Sequence, residues 1–228
     1  MKAILFGLLA LLVAAPMSAQ QVGFPPAESP YRDLEFKQEL SPYGGWASAS
    51  RDAAGVLPQS ASIFGLRYQI HLAGPVSFDG DFSRMGASRN VVDPKQNAGK
   101  RILGSTAAAV YGVNVGVALG LTGRKTWHHL VPEVRAGAGV VSSEAKDDAS
   151  GYTFGTPFAF TFGGGLKFVT VGRFQLRTDV TERLYKQKYP DSFYQFSSDR
   201  TSLLTTESRS FWANQTLWTV GASLLFDR

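Results

Sequence analysis

The chain has 228 residues, a net charge of +5, only 18% charged residues and no cysteine. Lack of cysteine rules out a disulfide framework for an exported domain. The basic residues are scattered rather than gathered into a stripe, which excludes a nucleic-acid face, and 24 glycines in so charge-poor a chain depart from an average soluble domain.

The N-terminus reads as an export signal. Lys2 supplies one cation, Ile4 to Ala15 carries no charge, and Pro16-Met17-Ser18-Ala19-Gln20 offers a small residue at a cut site. The apolar run falls short of the roughly 20 residues a spanning helix needs. Cleavage is expected after Ala19, leaving a mature chain of about 209 residues, enough for one domain. Residues 20–33 contain Pro25, Pro26 and Pro30 and read as an extended lead-in. The remainder, 34–228, is expected to form one domain.

Within it the dominant period is two, the strand signal. The first stretch, about 34–46, sets Leu34, Phe36 and Leu40 against Glu35, Lys37 and Glu39. The second, about 62–72, alternates Phe64, Leu66, Tyr68 and Ile70 with Gly65, Arg67, Gln69 and His71. The third, about 76–84, sets Phe78 and Phe82 against Asp79 and Asp81. The fourth, about 109–122, opposes a valine-rich face to Gly112, Asn114, Gly116 and Gly120. The fifth, about 130–142, opposes Val134 and Val140 to Glu133, Arg135, Gly137 and Gly139. The sixth, about 157–169, sets Phe158, Phe160, Phe162 and Phe168 against Thr161, Gly163, Gly165 and Lys167. The seventh, about 173–185, sets Phe174, Leu176 and Val180 against Arg177, Asp179 and Arg183. In the last, about 215–226, Trp218, Val220, Ala222, Leu224 and Phe226 share one face.

These strands match the roughly 9–11 residues that cross a bilayer at a tilt, and exceed the five or six typical of soluble domains. Their connections alternate. Those near 73–75, 123–129 and 170–172 are short; those at about 47–61, 85–108, 143–156 and 186–214 are long. Short turns on one side and long loops on the other are the rhythm of an up-and-down barrel in an outer membrane. The expected fold is therefore all-β, a closed antiparallel transmembrane barrel of about eight strands.

Alternation alone also fits a soluble barrel with an apolar interior. The glycine-rich polar face decides against it, because small residues suit a crowded bore and weaken a solvated strand surface. The bore is then expected to hold charges that pair: Glu35, Glu39, Asp79, Asp81, Glu133 and Asp179 with Lys37, Arg67, Arg135, Lys167, Arg177 and Arg183. Aromatics near strand ends predict two girdles, Trp46, Phe64, Phe82, Tyr111, Phe158 and Trp218 at one rim and Phe36, Trp127, Phe168, Phe174 and Phe226 at the other.

On these features the chain resembles the small eight-stranded outer membrane barrels, a family that includes the transmembrane domain of outer membrane protein A. The likeness covers about 34–226. It implies that the last strand, with Trp218, Val220, Ala222, Leu224 and Phe226 outward, is recognised by the outer-membrane assembly machinery; Asp227-Arg228 after the aromatic departs from the pattern. No peptidoglycan-binding domain is expected to follow. The expected location is the bacterial outer membrane, and the surroundings are its lipids and lipopolysaccharide.

Chemistry is harder to find. His71 sits on a strand, while His128 and His129 share a turn; no serine or acid stands at a triad-like spacing. Asp147-Asp148 is a solvated loop pair, and Gly163-Gly164-Gly165 lacks the Lys-Ser/Thr of a phosphate loop. No catalytic, cofactor or metal residues are expected. The expectation is a structural or surface-interaction role, with an extracellular ligand contacted through loop 186–214. A lipid A-modifying enzyme and a narrow ion-conducting pore are the alternatives.

Overall fold

The computed structural model describes residues 29–144, 148–170, 172–204 and 209–227. The signal segment and most of the lead-in lie outside them. Among the described residues twelve strands occur in chain order: β1 (Tyr31–Asp33), β2 (Gln38–Ala49), β3 (Ala61–Ala73), β4 (Val76–Met85), β5 (Ser88–Val92), β6 (Ile102–Ala107), β7 (Val110–Gly120), β8 (Lys125–Trp127), β9 (Leu130–Ser143), β10 (Phe158–Val169), β11 (Phe174–Lys188) and β12 (Ser210–Phe226).

Eight of them close a barrel. β2, β3, β4, β7, β9, β10, β11 and β12 each pair antiparallel with their neighbours, and β12 returns to pair with β2. The remaining four are accessories. β5 and β6 form a hairpin within the long connection between β4 and β7, and β1 pairs with β8 in the short connection before β9. The short–long rhythm holds: the connections 74–75, 121–129 and 170–173 are short, whereas 50–60, 86–109, 144–157 and 189–209 are long.

The apolar face points outward. Phe64, Val115, Phe162, Leu176 and Val220 are among many large hydrophobics left exposed, while Glu39, Arg67, Asp79, Glu133, Arg177 and Asp179 are buried. This is the arrangement lipid requires and water forbids. Trp46 and Trp218 face each other across β2–β12 in the outer girdle, each about half exposed. Just above them Ser48, Thr216 and Glu182 form a polar row, with Thr216 Oγ1 donating to Glu182.

Inward glycines let the strands crowd the bore. A Cβ on Gly139 would stand 1.9 Å from the Val113 carbonyl oxygen, and one on Gly165 would stand 2.1 Å from Asp179 Oδ1. Gly112 does the same for the Arg183 guanidinium.

Three sequence expectations are corrected. β2 begins at Gln38, so Glu35 and Lys37 precede the barrel wall and are exposed rather than inside the bore. Their alternation mimics a strand, but the segment runs across the mouth instead. Phe36 goes with them and lines a chamber there rather than joining the girdle. Loop 186–214 is shorter than expected, since β11 runs to Lys188 and β12 starts at Ser210; the strands pair above the membrane, where polar outward residues hide the period.

Candidate functional site: the charged plug and loop roof

The bore holds three zones. At its lower level Lys167 Nζ lies 2.8 Å from Glu39 and 3.1 Å from Glu133, and Arg177 Nη1 lies 2.7 Å from Glu39. Gln69 donates to Glu133 at 2.7 Å and accepts from Lys167 at 3.1 Å. Ser41 and Ser223 also donate to Glu39. Long side chains from five strands meet here because the register sets β2, β3, β9, β10 and β11 inward residues at one height.

Above this Asp179 is a hub. Arg67, Arg135 and Arg177 approach it at 2.9, 2.9 and 3.0 Å. Arg67 also reaches Asp81 at 3.5 Å and Asp79 at 4.0 Å, and stands over the Tyr43 ring, whose hydroxyl donates to Asp81 at 2.7 Å. Arg183 caps the zone by donating to Ser83. Of the twelve charged residues assigned to the bore, ten are gathered: Glu39, Asp79, Asp81, Glu133 and Asp179 with Arg67, Arg135, Lys167, Arg177 and Arg183. Glu35 and Lys37 are not. Removing one of each sign leaves the plug formally neutral, which keeps buried charge compensated. A void of about 20 Å³ remains between Arg67, Asp79, Asn114 and Arg135, the space of about one water molecule.

The upper bore is apolar. Ile63, Met85, Val110, Val141 and Tyr185 point inward and meet Val56, Tyr152, Phe154, Tyr189 and Phe193 from the loops. Alternation does not reveal this zone, because at the strand tops polar outward residues hide the period and the partners arrive from remote loops. Loop acids and bases fasten the roof. Arg89, fully buried, lies 2.6 Å from Asp148 and stands over Tyr152, so Asp148 is an ion-pair partner and not the solvated loop acid expected. Tyr189 donates to Asp52 at 2.9 Å. Arg101 donates to Thr201 Oγ1 at 2.6 Å, to the Thr201 carbonyl at 2.8 Å and to the Ser202 carbonyl at 3.0 Å.

Asp199 joins the same clamp. Hydrogen bonds from Ser197 and Thr201, then from the Ala98 amide, hold its carboxyl well below the usual carboxylate range. A carboxyl lowered by folding stabilises the clamp fully above the ordinary Asp value of ~3.9. That contribution is lost as pH falls through the depressed value. The Ala98 amide chemical shift should therefore stay constant through the ordinary carboxylate titration and move only in stronger acid. Movement centred at the ordinary value would mean that the clamp is absent in solution.

No nucleophile–base pair emerges among the described residues. His71 stands opposite Ser77 in the β3–β4 register, yet its Nε2 is buried without a hydrogen bond. His128 and His129 take positive φ in the turn, and His129 Nδ1 lies 3.1 Å from the Val169 carbonyl. Among the described residues no group of three His, Cys, Asp or Glu is placed to hold a metal. The outward face of β12 presents Trp218, Val220, Ala222 and Leu224 to the surroundings, with Phe226 half-buried against Tyr68.

A closed eight-stranded barrel, apolar outside and charged inside, is an integral membrane barrel. The chain belongs to the family described as the outer membrane protein beta-barrel domain, whose model matches residues 7–226. That family places it in the bacterial outer membrane. Two solved structures have the same fold. Neisserial surface protein A is 12% identical with a TM-score of 0.52, covering 83% of this chain and 97% of its own. The outer membrane protein OprG from Pseudomonas aeruginosa is 10% identical with a TM-score of 0.54, covering 85% and 98%. No curated protein matches the chain.

Proposed function

We propose that this protein is a non-conducting outer membrane barrel that acts structurally and through its outer loops. The observation that carries the reading is the plug. Ten formally balanced charges fill the lower bore, and a loop-fed apolar core fills the upper bore. Eight strands give an interior that side chains can fill, and here they do.

Export by Met1–Ala19 and recognition of the β12 face by the assembly machinery belong to this reading, with lipopolysaccharide as the surrounding outer lipid. The surface for an extracellular ligand is the loop between β11 and β12. Tyr189 and Phe193 are committed to the core, whereas Phe196 is 76% exposed on a loop that Arg101 holds in place. Rigidly presented aromatic and polar groups suit contact with a partner.

Purified full-length protein in a planar bilayer should show no discrete conductance steps. Replacing Arg67 or Asp179 should create leak, because either change breaks the plug. Steady single-channel currents from the unaltered protein would replace this reading with an ion pore. Altered lipid A acylation in membranes containing the protein, abolished by replacing His71, would replace it with an enzyme.

A further inference from the structure

Below the plug, at the end carrying the short turns, the barrel encloses a chamber of about 550 Å³. Small-molecule sites fall at about 300–1,000 Å³. Its inner end is the plug itself, through Glu39, Gln69 and Lys167.

Its outer cover is the segment that precedes β2. β1 pairs with β8 from Tyr31↔Trp127 to Asp33↔Lys125. The Leu34 amide donates to the Arg124 carbonyl at 2.8 Å, and Arg124 Nη2 donates back to the Leu34 carbonyl at 3.0 Å. At the far side the Lys37 amide donates to the Asp227 carbonyl, and the His71 amide donates to the Lys37 carbonyl. The chain thus straps the mouth from the β8 turn to the β12–β2 edge and lowers Leu34 and Phe36 into the chamber lining.

The lining is chemically lopsided. Val131, Val169 and Leu225 add apolar wall to Leu34 and Phe36. Arg32, Lys37 and Arg173 also line it, all exposed, and none makes a side-chain hydrogen bond or ion pair among the described residues. The nearby acids are differently placed. Glu39 is held by Lys167 and Arg177, Asp33 lies 4.0 Å from Lys125, and Glu35 lines the chamber between Leu34 and Phe36. The chamber therefore joins an excess of cations (Arg32, Lys37, Arg124, Lys167 and Arg173 against Asp33, Glu35 and Glu39) to an apolar wall within one small volume.

We propose that this chamber binds a small amphiphilic anion, such as a short-chain carboxylate, with its charge at Lys37 and Arg173 and its tail against Leu34 and Phe36. Such a ligand pairs with cations that form no ion pair among the described residues and covers apolar side chains facing the cavity. The site is separate from the loop surface at the other end of the barrel.

The test uses isotope-labelled full-length protein in non-ionic maltoside micelles, titrated with hexanoate while backbone amide shifts are recorded. Saturable shifts are expected at Lys37, His71 and Arg124, with none from hexanol. Lys37→Glu and Arg173→Glu should each weaken binding at least about tenfold, as losing a charge-assisted contact implies. Arg173→Gln is a milder variant whose fold is checked by heat-modifiable gel mobility, and it should weaken binding in the same direction. Arg209→Glu, in the outer loop, should leave binding unchanged. The proposal is overturned by shifts that never saturate, by equal shifts from hexanol, or by hexanoate binding indifferent to Lys37 and Arg173.

Discussion

Replacing Asp179 by Ala should be the most damaging single change in the bore, lowering stability by about 3–5 kcal/mol. Three guanidiniums, Arg67, Arg135 and Arg177, share this carboxylate within 3.0 Å. Without it they remain buried and like-charged against one another. Urea unfolding of protein refolded in micelles should show the midpoint fall, with little change in slope. Asp179→Asn keeps the shape but loses the charge and should fall short of wild type as well. Combining Asp179→Ala with Arg135→Met should recover part of the loss, because a cation is removed with its partner. The loop pair Arg209–Asp191 provides the contrast. Its side chains are 70% and 83% exposed, so Asp191→Ala should cost no more than ~1 kcal/mol. An Asp179→Ala effect that small would show the plug to be solvated.

Gly139→Ala should cost about 1–3 kcal/mol or more by overpacking. The added methyl would sit 1.9 Å from the Val113 carbonyl oxygen and 2.7 Å from the Asn114 Cα, both backbone atoms of the neighbouring strand. No rotamer change relieves such a contact, so β7 and β9 must part or tilt and their ladder weakens. Gly80→Ala on β4 is the matched control, since nothing lies within 4 Å of its Cβ position. The two variants change the same chemistry, and only the first should shift heat-modifiable mobility to lower temperature. Equal behaviour would mean that strand spacing is looser than the register implies.

The wall of the barrel was legible because lipid and bore impose opposite demands at every second residue. Phe158, Phe160 and Phe162 alternating with Ala159, Thr161 and Gly163 admit one orientation once the small residues are taken as inward. The plug was legible in part for the same reason: a charge on an inward position has nowhere to go except to another charge. Glu35 and Lys37 were misplaced because period two describes any extended chain, including one that crosses the mouth instead of joining the wall. The upper core was not legible. Its contacts join β3 and β4 to Tyr152 and Phe193, residues whose loops have no period and whose partners lie far away in sequence. The chamber was invisible for a related reason. Arg173 and Lys37 are far apart in the chain and come to line one chamber only when β12 is set between β11 and β2.

That last pairing also has a consequence for biogenesis. β12 runs alongside β2 from Gln215↔Ala49 to Phe226↔Gln38, so the first and last staves of the wall share one seam. Until the final stave is made, the sheet has two raw edges, and in hydrocarbon each unsatisfied backbone group costs several kcal/mol. Half a barrel is thus not a less stable barrel but one unable to reside in the bilayer. Synthesis must finish before insertion can, and any nascent chain must be kept soluble and unsealed by something outside itself.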